Sequence, residues 1–282
     1  MSAMGGTAGL GAKTPLPEGS VLALRHPKVQ RLRRLLSRRS ARDAERAFVV
    51  EGIKVLAEAI DGGAGVESVY LASGTSANLA ERACDAGAGL YEFAPGVIER
   101  VSDTVTPQPV MAVVTFLDRP REALRDAGLL VVAVDIRDPG NAGTVLRSAE
   151  AAGAGGVIFC EGSVDAYNPK TVRASAGSLF HVPLALGGSP DDVLDDLGRW
   201  GFRRLATTAA GGSDYTEIDL TRPVALVLGN EANGLSPQID DRVDERVTIP
   251  MAGRTESLNV GMAAAVLCFE AARQRRREVV AS

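Results

Sequence analysis

Leu129-Leu130-Val131-Val132-Ala133-Val134 runs without a break into Asp135-Ile136-Arg137-Asp138-Pro139-Gly140-Asn141-Ala142-Gly143, and then into Thr144-Val145-Leu146-Arg147-Ser148-Ala149. Six consecutive apolar residues are strand-sized, and a nearly all-apolar strand is one covered on both faces, as in parallel sheets flanked by helices. The polar turn that follows leads into a helix expected over about Ala142 to Ala152. Strand, loop and helix in this order form the unit of an α/β fold. Downstream, further strands are expected at Gly156 to Cys160, Phe202 to Thr207, Pro223 to Leu228 and Arg246 to Pro250. Helices are expected at about Asp191 to Trp200 and Leu258 to Arg273.

Upstream the pattern repeats on a smaller scale. Phe48-Val49-Val50, Val69-Tyr70-Leu71, Leu90 to Phe93 and Val110 to Phe116 read as strands. Helices are expected through Val55, Leu56, Ala59 and Ile60, and from about Ser76 to Ala86. The charged, proline-containing run that begins Leu117-Asp118-Arg119-Pro120 breaks the apolar pattern, as a boundary between domains does. The expected organisation is a flexible tail over 1–20, an N-terminal α/β domain over 21–116, a linker over 117–128 and a second α/β domain over 129–282.

Composition narrows the chemistry. The chain of 282 residues is 45% hydrophobic and 23% charged, which suits a globular protein and not a disordered one. No apolar run approaches the ~18 residues needed to cross a bilayer, and residues 1–20 lack the charged-then-apolar order of a secretory signal. A cytoplasmic protein without a membrane partner is expected. With two histidines and three scattered cysteines, Cys84, Cys160 and Cys268, no zinc site or histidine triad is expected, and the site is read as metal-free.

The net charge of −4 conceals a basic segment. Arg25, Lys28, Arg31, Arg33, Arg34, Arg38, Arg39, Arg42 and Arg46 face only Asp43 and Glu45. Val29, Leu32, Leu35 and Leu36 recur at helical spacing among them, so one side can be buried while arginines radiate from the other. Such a surface can hold a nucleic-acid backbone without reading its sequence; an ordinary solvated face has the same pattern.

The turn after Val134 contains no GxGxxG, and neither a GxxxxGK[ST] loop nor a GxSxG elbow occurs. What does occur is a set of three polar loops at strand ends. The first runs from Asn141 to Ala149, with Arg147 among small and apolar neighbours. The second is Leu226-Val227-Leu228-Gly229-Asn230-Glu231-Ala232-Asn233-Gly234-Leu235, and the third is Ile249-Pro250-Met251-Ala252-Gly253-Arg254-Thr255-Glu256-Ser257-Leu258-Asn259-Val260. Taken singly, each has a plain reading: Asn141 as an N-cap with Arg147 paired to Glu150, a simple turn after Leu228, and Ser257 as a cap.

In this order and spacing the three segments resemble the signature motifs of the SpoU (TrmH-type) RNA 2'-O-ribose methyltransferases of the SPOUT superfamily. The resemblance is strong over Leu129 to Arg275 and looser over Arg25 to Phe116. It implies a C-terminal trefoil-knotted α/β domain that works as a homodimer and holds S-adenosylmethionine, and a smaller ribosomal-protein-like α/β domain that binds RNA. Carried over by motif match, Asn141, Arg147, Glu231, Ser257 and Asn259 are the catalytic positions. Thr207, Leu228, Gly229, Ile249, Met251 and Leu258 are the cofactor positions. The RNA contacts are Arg25, Lys28, Arg31, Arg33, Arg34, Arg38, Arg39 and Arg42. The implied reaction is methyl transfer to a ribose 2'-hydroxyl, with 23S ribosomal RNA the expected substrate. A transfer-RNA methyltransferase, and a catalytically silent RNA-binding or ribosome-assembly protein, are the alternatives; assays on both RNA types and a cofactor titration separate them.

Overall fold

The computed structural model describes residues 21–75, 82, 85 and 87–281. The tail over 1–20, most of the helix expected from Ser76 to Ala86, and Cys84 lie outside the described residues. The N-terminal half is built on strands β1 (Val21–Leu22), β2 (Ala47–Glu51), β3 (Val66–Leu71), β4 (Gly89–Phe93) and β5 (Val110–Thr115), in the order β1-β4-β3-β5-β2. The β1, β4 and β3 pairings are parallel, while β5 runs antiparallel to β3 and β2.

One face of this sheet packs on the basic helix Pro27–Ser37, through Val29, Leu32 and Leu35 against Val49, Tyr70, Phe93, Met111 and Val113. The helix starts where proline is tolerated, at its first position, with His26 accepting from the Lys28 N–H at 3.2 Å. It ends at Arg38, whose extended backbone (φ −129°) re-aims the chain into a separate short helix, Arg39–Glu45.

The second sheet comprises β6 (Leu129–Ala133), β7 (Gly156–Phe159), β8 (Leu184–Leu186), β9 (Arg203–Thr208), β10 (Ser213–Asp214), β11 (Val224–Leu228) and β12 (Glu245–Thr248). Its order is β10-β12-β9-β11-β6-β7-β8, and every pairing among these strands is parallel. This is the α/β parallel sheet expected, and β6 is buried along its whole length. One face packs on the helix Pro190–Arg199 through Val193, Leu194 and Leu197. On the other lie the helices Pro139–Ala151 and Val260–Ala281, which are in contact. Their approach is close: a Cβ at Gly261 would stand 2.8 Å from the Cβ of Thr144. The closing helix therefore begins after Asn259, later than Leu258, and runs past Arg273. Strand β8 and the helix Pro169–Ala174 are too short to have stood out in the sequence.

The 117–128 segment is tied down on both sides. The Leu117 and Asp118 N–H groups donate to the Tyr167 hydroxyl at 2.6 and 2.8 Å, and that hydroxyl donates to Asp118 Oδ1 at 2.9 Å. Phe116 stacks on Tyr167, and Leu124 is buried. A single apolar cluster extends from Phe48, Val50 and Leu56 of the first half to Val145, Leu226 and Leu267 of the second. Cys160 and Cys268 are both buried, which pushes each thiol up to about 12 and makes them inert core residues.

Candidate active site and nucleic-acid interface

The register of the second sheet brings the three polar loops together. Ala133 at the end of β6 pairs with Leu228 at the end of β11, Ala206 of β9 pairs with Val227, and Thr208 pairs with Thr248 of β12. The carboxyl ends of four strands thus lie side by side, with the chain order broken between β6 and β11, the position where open parallel sheets bind ligands. A concavity of about 420 Å³ opens there, lined by residues that include Asn141, Thr207, Gly229, Glu231, Ile249, Met251, Ser257, Leu258 and Asn259.

A chain of side-chain amides knits the loops. Asn259 Nδ2 donates to Asn141 Oδ1 at 2.8 Å, and Asn141 Nδ2 donates to Glu231 Oε1 at 2.8 Å. The backbone N–H of Asp138 donates to the same carboxylate oxygen at 3.2 Å, and that of Arg137 to Oε2 at 3.4 Å. Asn259 Oδ1 also accepts from the N–H groups of Gly261 and Met262, which caps the closing helix. Asn141 is not the cap of its own helix: Asp138 fills that role, accepting from the Asn141 N–H at 2.8 Å, which leaves the Asn141 amide free to bridge.

Partial burial pulls the Glu231 carboxyl upward, but the Asn141 amide and the surrounding N–H donors outweigh it and hold the group below the usual carboxylate range. A carboxylate so held is a poor proton acceptor, and its role is to fix the loops. A lowered value means that the stabilisation is present above the ordinary carboxylate pKa and is lost as pH falls through the lowered one. Glu231→Gln is therefore expected to lower the unfolding midpoint at neutral pH and to converge on the wild type in acid. A gap that widens toward acid contradicts this assignment.

Three neighbours escaped the sequence reading. Asn230 Nδ2 donates to the Asp135 carbonyl at 2.9 Å, while its Oδ1 accepts from the N–H groups of Ala232 and Asn233. Asp135 itself adopts φ 53°, uncommon outside glycine. Asp138 was signalled by the proline that follows it, since Pro at the first helical position marks the residue before it as the cap. Gly229 closes tightly on its own loop: a Cβ there would lie 2.4 Å from the carbonyl carbon of Gly234.

Two expected site residues stand elsewhere. Leu228 is fully buried in the core behind the concavity and does not line it. Arg147 is on the same helix as Asn141 but outside the wall. It is exposed, and among the described residues it makes no ion pair, with Glu150 or any other carboxylate.

The basic segment divides. Arg42 is a correction: it is 3% exposed and buried in an ion pair with Asp165, at 2.5 Å, so it is not open to a phosphate. Arg31 is engaged by Glu45 at 2.5 Å and Glu67 at 2.7 Å. Lys28 lies over the Tyr91 ring, and Arg39 faces Asp43. Arg25, Arg33, Arg34 and Arg38 are exposed.

The family model described as the SpoU rRNA Methylase family matches residues 128–269, and that of the MRM3-like substrate binding domain matches residues 26–112. The chain is 32% identical over 234 residues to the 23S rRNA (guanosine(2553)-2'-O)-methyltransferase RlmP of Bacillus subtilis, covering 83% of this chain and 92% of that protein. It is 32% identical over 273 residues to a 23S rRNA (uridine(2479)-2'-O)-methyltransferase of Streptomyces viridochromogenes, covering 92% and 94%. The crystal structure of an AdoMet-bound rRNA methyltransferase from Sinorhizobium meliloti superposes with a TM-score of 0.80 at 33% identity, covering 90% of this chain and 98% of that one.

Proposed function

Because this chain belongs to the SpoU rRNA methylase family, we propose that it transfers a methyl group from S-adenosylmethionine to a ribose 2'-hydroxyl of 23S ribosomal RNA. The observation that carries this reading is the convergence of Asn141, Glu231 and Asn259 into one hydrogen-bonded chain on the rim of the concavity. The cavity suits the cofactor. Ile249, Met251 and Leu258 offer apolar surface to an adenine, Thr207 and Gly229 stand beside them near strand ends, and the polar side chains of Asn141, Ser257 and Asn259 share the same wall, a combination of apolar surface and placed polar groups that suits a small molecule. When bound, the cofactor supplies an electrophilic methyl on a sulfonium centre.

The chain's own residues then have distinct tasks. Asn141, Glu231 and Asn259 hold the three loops in one geometry, so that alignment is built in before RNA arrives. Ser257, exposed on the rim, is placed to orient the sugar. Arg147 carries a planar guanidinium that has hydrogen-bond donors and no acceptor. It therefore serves as a cation that grips the phosphate beside the target ribose and favours the developing alkoxide, not as a base.

The finer architecture belongs to the same proposal. A trefoil knot is supported by the way the closing helix, reached from β12 at the far side of the sheet, returns across the Pro139–Ala151 helix until Arg275 donates to the Gly128 carbonyl at 2.8 Å, at the start of β6. A homodimer is supported by Met262 and Phe269, seven residues apart on that helix and 60% and 47% exposed. Residues 21–116 are assigned to RNA binding and 129–282 to catalysis, in the cytoplasm with the ribosome; no helix among the described residues is long and apolar enough to cross a membrane.

The test is mass-spectrometric mapping of ribose methylation in 23S rRNA from cells with and without the protein, together with calorimetric titration of S-adenosylmethionine. One 2'-O-methyl group that depends on the protein, and measurable binding heat, are expected. Methylation found only on transfer RNA, or no cofactor binding, overturns the reading. Light scattering on the same preparation is expected to return twice the monomer mass.

A further inference from the structure

A second concavity, of about 410 Å³, lies in the N-terminal half between the helix Pro27–Ser37 and the short helix Ile98–Val101. Its wall carries Arg33, Arg34, Arg38 and Arg100. In a chain whose arginines are mostly paired, Arg33, Arg38 and Arg100 make no ion pair among the described residues, and Arg34 approaches Glu45 only at 3.6 Å. The one carboxylate in the wall, Asp103, is already neutralised from outside: Arg173 donates to it through both terminal nitrogens, at 2.8 and 3.3 Å. Four guanidinium groups on one wall, three of them without a carboxylate partner among the described residues and the fourth only loosely paired, call for a polyanion.

We infer that this concavity is a phosphate-binding subsite that takes one phosphodiester of the RNA substrate and sets its register on the enzyme. The inference rests on the reading above for the identity of the polyanion. Every residue of the wall lies within the span matched by the substrate-binding-domain model, residues 26–112. Leu36 and Val101 add apolar surface beside the arginines, which suits the sugar of a nucleotide better than a free inorganic ion. Arg100 stands 54 residues or more from the end of the basic run and is brought to it only by folding.

The subsite is coupled to the catalytic half through Arg173. That residue sits on the helix Pro169–Ala174, which packs against the helix that carries Asn141 and Arg147. An anion seated among the four arginines is thereby held at a fixed separation from the catalytic pocket. Arg173 is outside the wall, and its part is to mask Asp103.

This makes an unusual prediction for a set of variants titrated with a fluorescent 23S rRNA transcript over a range of KCl concentrations. Arg100→Ala is expected to weaken binding about five- to tenfold and to reduce the salt slope by about one, the signature of one lost phosphate contact. Arg173→Ala is expected to weaken binding as well, because it unmasks Asp103, and Arg173→Ala/Asp103→Ala is expected to recover it. Unchanged affinity and slope in Arg100→Ala, or no recovery in the double variant, overturns the subsite. The functional reading fails separately: a wild-type protein that binds the transcript through Arg100 but methylates no ribose leaves the subsite standing and removes the enzyme.

Discussion

Arg147→Ala is expected to lower methyl transfer by about 10²–10³-fold while the affinity for S-adenosylmethionine changes less than about twofold, the range seen when one preorganised charge is removed from a developing anion. The split follows from where the residue stands. Its helix buries Ala142, Val145, Leu146 and Ala149, whereas Arg147 is exposed and outside the concavity. Alanine is a better helix former than arginine, so folding is expected to be preserved and the loss is read as catalysis. Arg147→Lys keeps the charge but not the planar fork, and an intermediate rate is expected. Single-turnover kinetics with saturating cofactor, set beside calorimetric titration of the cofactor alone, check this. If affinity for the cofactor falls with the rate, Arg147 belongs to the pocket; if neither moves, it has no part in the reaction.

Much of this site was legible because its parts are local. The strand Leu129–Ala133 and the three polar loops are each contiguous, and parallel strands place their carboxyl ends together whatever the intervening chain does. Residues whose role depends on something distant were not legible. The periodicity of Val29, Leu32 and Leu35 describes one helix, yet Arg42 lies on another, and what buries it is 123 positions away. Arg100 reads as one arginine in a short helix until the fold sets it beside Arg33 and Arg38. The apolar face of β2 cannot announce that its partners include residues of the second half, since Phe48 and Val50 look like any alternating strand. Leu228 was carried to the cofactor positions by motif match, which does not say which way a strand residue faces; here its side chain is buried in the core.

The same long-range dependence sets the largest stability effect. Asp165→Ala and Arg42→Ala are each expected to destabilise the protein by about 3–5 kcal/mol, the usual cost of leaving one member of a buried ion pair alone. Arg42 donates to Asp165 Oδ2 through Nε at 2.8 Å and Nη2 at 2.5 Å, and through Nη1 to the Leu35 carbonyl at 2.6 Å. Asp165 Oδ1 accepts from the Tyr167 N–H at 2.8 Å, so both charged groups are hydrogen-bonded within the protein. Loss of Asp165 leaves a guanidinium in the interior with backbone carbonyls only. Loss of Arg42 leaves a carboxylate with one N–H, and strips the Leu35 carbonyl in the last turn of the basic helix of its side-chain donor. Arg42→Met/Asp165→Leu removes both charges together and is expected to cost less than either single alanine variant, because no uncompensated ion remains. Denaturant midpoints for the four proteins check this; alanine variants within about 1 kcal/mol of the wild type contradict it. Since the pair joins a helix of the N-terminal half to the loop after β7, the single variants are also expected, on the proposed division of roles, to weaken RNA binding at temperatures where the C-terminal half still binds S-adenosylmethionine.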